Sequence, residues 1–207
     1  GTTSTGDEDK ILITIQAGTE TIVNRVPLSV FASLNQFLAG TGVVTAWAES
    51  GGAGEALLEI DTGCHYLDKG AELTVSIMNT SGSSLEYSIY SKVNGISVPS
   101  PQKWLWRTDN AFMLPLVESL FAFELADGDF FDQTGNCTLQ YGTENVLVPF
   151  QAGAVQVNAD SVGDSKISNM SILYDSIPRS MQINTTTANI GFLAQCKEIA
   201  TPEVVKR

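Results

Sequence analysis

Residues 10–26, KILITIQAGTETIVNRV, set the terms on which the rest of the chain is read. Ile11, Ile13 and Ile15 occupy alternate positions, and a second short run, TIVNRV at 21–26, follows closely. A spacing of two places side chains on one face of a strand, because successive residues of an extended chain point to opposite sides. Similar runs recur along the chain: GVVTAWA, EALLEID, ELTVSIMN, LEYSIYSK, KWLWR, LFAFEL, CTLQY, NVLVPF, AVQVN, MSILY, MQIN and IGFLAQ. Turn-forming clusters punctuate them, among them SGGAG at 50–54, NTSGSS at 79–84, NG at 94–95, SVPSPQ at 97–102, DQTGN at 132–136 and DSVGD at 160–164. Parallel α/β folds need helical crossovers of about a dozen residues, and almost none are visible. The pattern predicts an all-β fold, an antiparallel β-barrel or β-sandwich of about a dozen short strands.

One stretch departs from this rhythm. In PLSVFASLNQFLAG, residues 27–40, Leu28, Phe31, Leu34 and Leu38 recur at steps of three and four. Pro27 suits a first helical turn and Gly40 suits a stop. The spacing predicts one short helix near residues 28–38, covering one end of the barrel. AFMLPLVESL, residues 111–120, has the makings of another helical turn, but Pro115 would spoil its interior.

A chain of 207 residues fits one all-β domain as readily as two small ones. Residues 11–199 read as that single β-rich domain. Residues 1–10 read as a polar linker, and residues 200–207 as a second linker ending in the dibasic pair Lys206-Arg207. Both ends suggest a domain excised from a longer polypeptide.

Composition narrows the function classes. Charged residues make up 16% of the chain, below the usual ~25%, and the net charge is −12. That charge repels phosphate backbones and anionic lipid, and the eleven Lys and Arg form no patch, so nucleic acid is not an expected partner. The longest apolar stretches run to about five or six residues against the ~20 a bilayer requires, so membrane insertion is not expected either. Cys64, Cys137 and Cys196 show no C-x-x-C spacing. Three buried thiols, or one bridge and one free thiol, both accommodate them. Sequons at Asn79, Asn136, Asn169 and Asn184 carry little weight in a chain so rich in Ser and Thr.

Four constellations deserve weighing as chemistry. ADGDFFDQTGNC, residues 126–137, offers Asp127, Asp129 and Asp132 as candidate calcium ligands. An EF-hand wants oxygen ligands at positions 1, 3 and 5, Gly at 6 and Glu at 12, and counting from Asp127 the pattern stops after two. A solvated acidic loop is the plainer reading. His65 is the single histidine, and Cys64 beside it would point to the opposite face of a strand. Asp61 or Asp68 could orient the ring, but no G-x-S-x-G elbow supplies a nucleophile. Glu118 with Glu124, or Glu55 with Glu59, would serve glycoside hydrolysis only if held ~5–10 Å apart across a cleft. Phosphate-binding glycine loops are absent from the sequence, and no cofactor is expected. The last constellation is SPQKWLWRTDN, residues 100–110. There Trp104 and Trp106 share one face of a strand, flanked by Lys103 and Arg107. Exposed, this group would be a contact surface for a sugar or a protein, because tryptophans bury much area at little entropic cost. Turned inward, the rings would cap the core with the two cations lying over them.

An acidic β-domain rich in Thr, Ser, Asn and Gly, with polar ends and the dibasic terminus EVVKR, resembles the projecting spike of a non-enveloped virus capsid. It is most similar to the avian branch of astrovirus capsid spikes, over the whole chain in length, charge and strand density. The resemblance implies a non-enzymatic domain on the virion surface, seated on the capsid shell. It further implies a homodimer that contacts a host-cell receptor, glycan or protein, and carries antibody epitopes. A jelly-roll shell subunit and a secreted β-sandwich hydrolase are the alternatives.

Overall fold

The computed structural model describes residues 10–39, 48–50, 53–55, 58–65, 70–80, 82, 84, 86–91, 100–125, 134–151, 159–162, 165–186 and 190–197. Among these the chain is mostly strand, with one α-helix, and the all-β expectation holds. In chain order come β1 (Ile11–Ala17), β2 (Glu20–Pro27), α1 (Leu28–Ala39), β3 (Ala48–Ser50), β4 (Ala53–Glu55), β5 (Gly63–Cys64), β6 (Leu73–Asn79) and β7 (Ser100–Arg107). Then follow β8 (Ala111–Pro115), β9 (Val117–Glu124), β10 (Thr134–Tyr141), β11 (Glu144–Gln151), β12 (Ala159–Val162) and β13 (Ser165–Asn169). A 3-10 turn (Met170–Leu173), β14 (Ser180–Thr185) and β15 (Ile190–Lys197) complete the order.

The larger sheet runs β12-β13-β9-β15-β7-β2-β1-β6, with β5 paired to β7. The smaller runs β11-β10-β14-β8, and β3 and β4 form a hairpin. Pairing is antiparallel except between β2 and β7, which meet in parallel at Val23 and Trp104. The larger sheet ends in two edges and does not close, so the architecture is sandwich-like and not a barrel.

Three layers result. The helix packs on one face of the large sheet, reaching β1 and β2 on one side and β12 and β13 on the other. The expected position over a barrel end is therefore replaced by one across the sheet face. This layer buries Ile11, Ile13 and Ile15 with Phe31, Leu34, Trp104, Phe121 and Leu193. The four-stranded sheet covers the opposite face, enclosing Leu114, Leu120, Cys137, Leu139, Met181, Ile183, Phe192 and Cys196. Strands β9 and β15 serve both cores: Phe121 and Phe123 point one way, Leu120 and Ala122 the other. Burial on both faces explains why LFAF and IGFLA read as continuous apolar runs and not as alternation.

Strand β8 passes into β9 through Leu116, which holds φ at 45°. Its N–H donates to the Arg179 carbonyl at 3.2 Å, and its own carbonyl accepts from Lys197 N at 2.9 Å. Both bonds fix a left-handed residue where the chain leaves one sheet for the other. The suspected helical turn at 111–120 is thus a corner between two strands. Three expected strands also differ. Residues 58–61 of EALLEID lie outside any strand. MSILY forms the 3-10 turn, capped by Asn169 Oδ1 accepting from Ser171 N at 2.9 Å. Residues 86–91 of LEYSIYSK lie outside any strand, with Tyr87, Ile89 and Tyr90 exposed. Alternation marks a chain able to pair and does not supply the partner.

Candidate contact surface

The two tryptophans face the first core, Trp104 fully buried and Trp106 half-buried. Trp104 is 4% exposed, stands edge-on to Phe31 with centroids 5.9 Å apart, and donates from Nε1 to the Asp61 carbonyl at 2.5 Å. Trp106 packs against the same core, edge-on to Phe123 at 5.7 Å. Gly191 on the neighbouring strand leaves room for its ring, which a Cβ there would overlap. This burial removes Trp104 as a receptor contact, while Trp106 is half-buried. Lys103 and Arg107 do not cover the rings, because odd positions of β7 face the other way: Leu105 between them packs into the second core. Lys103 pairs with Glu20 at 2.5 Å, and Arg107 is exposed.

His65 is partly buried, and its Nε2 bonds the Thr62 carbonyl at 2.6 Å. Asp61 does not orient it, since Asp61 Oδ1 accepts from Gly63 N at 2.8 Å and its carbonyl takes the Trp104 proton. The Cys64 side chain lies outside the described residues, as does the acidic loop with Asp127, Asp129 and Asp132. Glu118 and Glu124 both sit on β9. Six residues at ~3.4 Å put them about 20 Å apart along the strand, too far for a carboxylate pair acting on one glycosidic bond. Glu59 is exposed, and its main chain is clamped by Asn35, which accepts from Glu59 N at 2.6 Å and donates to Glu59 O at 2.7 Å. Among the described residues no three His, Cys, Asp or Glu gather as metal ligands, and no helix is long and apolar enough to cross a membrane.

Cys137 and Cys196 are free, buried thiols in the second core. Burial pushes each from its ordinary 9.0 up to about 12, so neither is a nucleophile near neutral pH.

A different surface emerges from the register of the four-stranded sheet. Cys137, Leu139, Met181 and Ile183 face inward, so the alternate positions face out. Those positions align in three cross-strand rows. One row is Asn145, Gln140, Ser180 and Pro115. The next is Leu147, Thr138, Gln182 and Met113, and the last is Pro149, Asn136, Asn184 and Ala111. No side chain in this grid is charged, in a chain whose net charge is −12. Leu147 and Met113, at opposite ends of the middle row, are 64% and 62% exposed. Ser180 Oγ donates to Gln140 Oε1 at 2.9 Å, so part of the polar inventory is satisfied within the face. Sequence reading missed this surface because no single strand displays it; the absence of charge shows only once four separated segments are aligned.

No protein-family model matches the chain, and no curated protein sequence matches it.

Proposed function

We propose that the chain is a non-enzymatic surface spike of a viral capsid, acting as a homodimer that contacts a host-cell receptor and presents antibody epitopes. The observation that supports the homodimer in this reading is the charge-free outer face of the small sheet; the viral-spike part rests on the resemblance in composition, charge and strand density. Two copies carrying −12 each repel one another, and a face without charge is where they can meet without bringing like charges together. Four strands at ~4.8 Å and the five residues that the three rows span at ~3.4 Å give a footprint of about 330 Å² per copy. An ordinary partner surface is ~800 Å², so the grid would form the centre of a dimer contact whose remaining area comes from the strand ends and turns around it. The polar, loop-bearing remainder of the surface is left for receptor and antibody, which favour loops on a rigid sheet.

Sedimentation equilibrium tests the reading. A discrete dimer is expected, with the double variant Met113→Glu, Leu147→Glu monomeric and its melting temperature within a few degrees of the parent, since both side chains are exposed. Rings or sheets of many copies would favour the shell-subunit alternative, and a monomer at all concentrations would remove the dimeric spike.

A further inference from the structure

A pocket of about 550 Å³ opens where β10 begins and β11 and β14 end. Its described lining has two parts. Pro149, Phe150, Ile172 and Leu173 supply carbon, and Ile172 is 54% exposed to the opening. Thr134, Asn136, Gln151 and Thr186 supply hydroxyl and carboxamide groups around it. The floor exists because residue 135 is glycine: a Cβ there would come within 2.8 Å of the Phe150 ring. Thr186 donates from N and from Oγ1 to the Thr134 carbonyl, at 3.0 and 3.2 Å. The hydroxyl proton is thus committed inward, and the Thr186 oxygen keeps lone pairs for an incoming donor.

No described lining residue is ionisable. A carboxylate or sulfate placed here would lose water, find no cation, and sit in the field of a −12 chain. A purely aliphatic ligand would strip water from the Asn136 carboxamide and the threonine hydroxyls without replacing it. A pyranose presents what the lining asks for, a carbon face on one side and neutral hydroxyls at its edge. The volume falls within the ~300–1,000 Å³ of small-molecule sites, room for one or two sugar rings. We infer that this pocket binds a neutral saccharide unit of a cell-surface glycan. The inference rests on the receptor-recognition reading above and gives that receptor a chemistry and a place. The pocket lies at the edge of the grid, where Asn136 and Pro149 of the last row belong to both; a dimer centred on Leu147 and Met113 in the middle row leaves that edge open to a sugar.

The test is saturation-transfer NMR on the whole chain with lactose, N-acetyllactosamine and sialyllactose as probes. Transfer from at least one neutral sugar is expected, with a Kd of roughly 1 mM, and sialyllactose should bind about tenfold more weakly. Ile172→Asp places a charge on the exposed wall, and Thr186→Val removes the rim hydroxyl at constant shape. Each should weaken the neutral sugar about fivefold or more, with the melting temperature within a few degrees of the parent, since Ile172 is exposed and the Thr186 N–H keeps its bond to Thr134. No transfer from either neutral sugar, equal binding of sialyllactose, or binding that survives both variants overturns the inference. A chain that dimerises and decorates host cells without taking up sugar keeps the spike reading and loses the pocket. One that takes up sugar yet stays monomeric and ignores cells keeps the pocket and loses the spike.

Discussion

Trp104 shows how one side chain settles between two roles. A contact tryptophan and a core tryptophan look alike in KWLWR; the indole N–H tells them apart, because a buried donor must find an acceptor. Here the acceptor is the Asp61 carbonyl, 43 residues earlier in the chain. Trp104→Phe keeps an aromatic ring near Phe31 and orphans that carbonyl, so it should cost about 1–3 kcal/mol of stability in urea titration. If the chain binds host cells as proposed, that binding should stay unchanged in this variant, whereas a receptor-contact tryptophan would lose binding with stability intact. The thiols make a second residue-scale case. Burial raises Cys137 and Cys196 from 9.0 to about 12, and Tyr174 from 10.0 to about 12. The fold holds the neutral forms, so the stability they contribute is complete below pH 9 and drains away as the pH climbs towards 12. Urea midpoints measured upward from neutral pH should fall across that window, and less steeply in the Cys137→Ala, Cys196→Ala variant. A thiol reagent should label neither cysteine until the chain unfolds.

At the level of elements, the close passage of β15 beside β7 depends on Gly191. A Cβ there would overlap the Trp106 ring, which is itself held edge-on against Phe123. Gly191→Ala should therefore destabilise by about 1–3 kcal/mol, and adding Trp106→Leu should return part of the loss, a coupling that a double-mutant cycle in urea would read. The elements also mark where the sequence was legible. The alternation of ILITI needed no context, since β1 has one face buried under the helix and its Ile residues fall there. The step of three and four in SVFASLNQFL located α1 to within a residue or so. Elements whose form depends on a distant segment were not legible. MSILY has the alternation of a strand, yet Asn169 caps it into a 3-10 turn, and Ser171 Oγ accepts from Leu120 N at 3.0 Å. Pro115 argued correctly against a helix, but the corner at Leu116 needs acceptor and donor from Arg179 and Lys197, both more than sixty residues away. The same limit applied to the candidate surfaces. WLWR announced itself within four residues and lies partly inside, whereas the neutral grid is spread over β8, β10, β11 and β14.

On the scale of the whole molecule, the layers separate two tasks. The helix seals one face of the large sheet, and the small sheet seals the other while offering its own outer side to the surroundings. On the proposed dimer, charge would decide how two molecules meet there. The neutral grid contributes no ion pairs to lose, while the −12 carried elsewhere opposes approach. Salt shortens the reach of that opposition from ~10 Å at 0.1 M to ~3 Å at 1 M. Dimerisation should therefore tighten as salt is raised, and tighten again as the pH falls towards the isoelectric point near 4.3, where the repulsion vanishes. An interface built on Lys103, Arg107 and opposing carboxylates would respond to salt in the contrary sense, because screening removes its attraction. Sedimentation equilibrium across a salt series separates the two: weaker dimers at 1 M salt than at 0.1 M would move the contact off the neutral grid, whatever Met113→Glu and Leu147→Glu do.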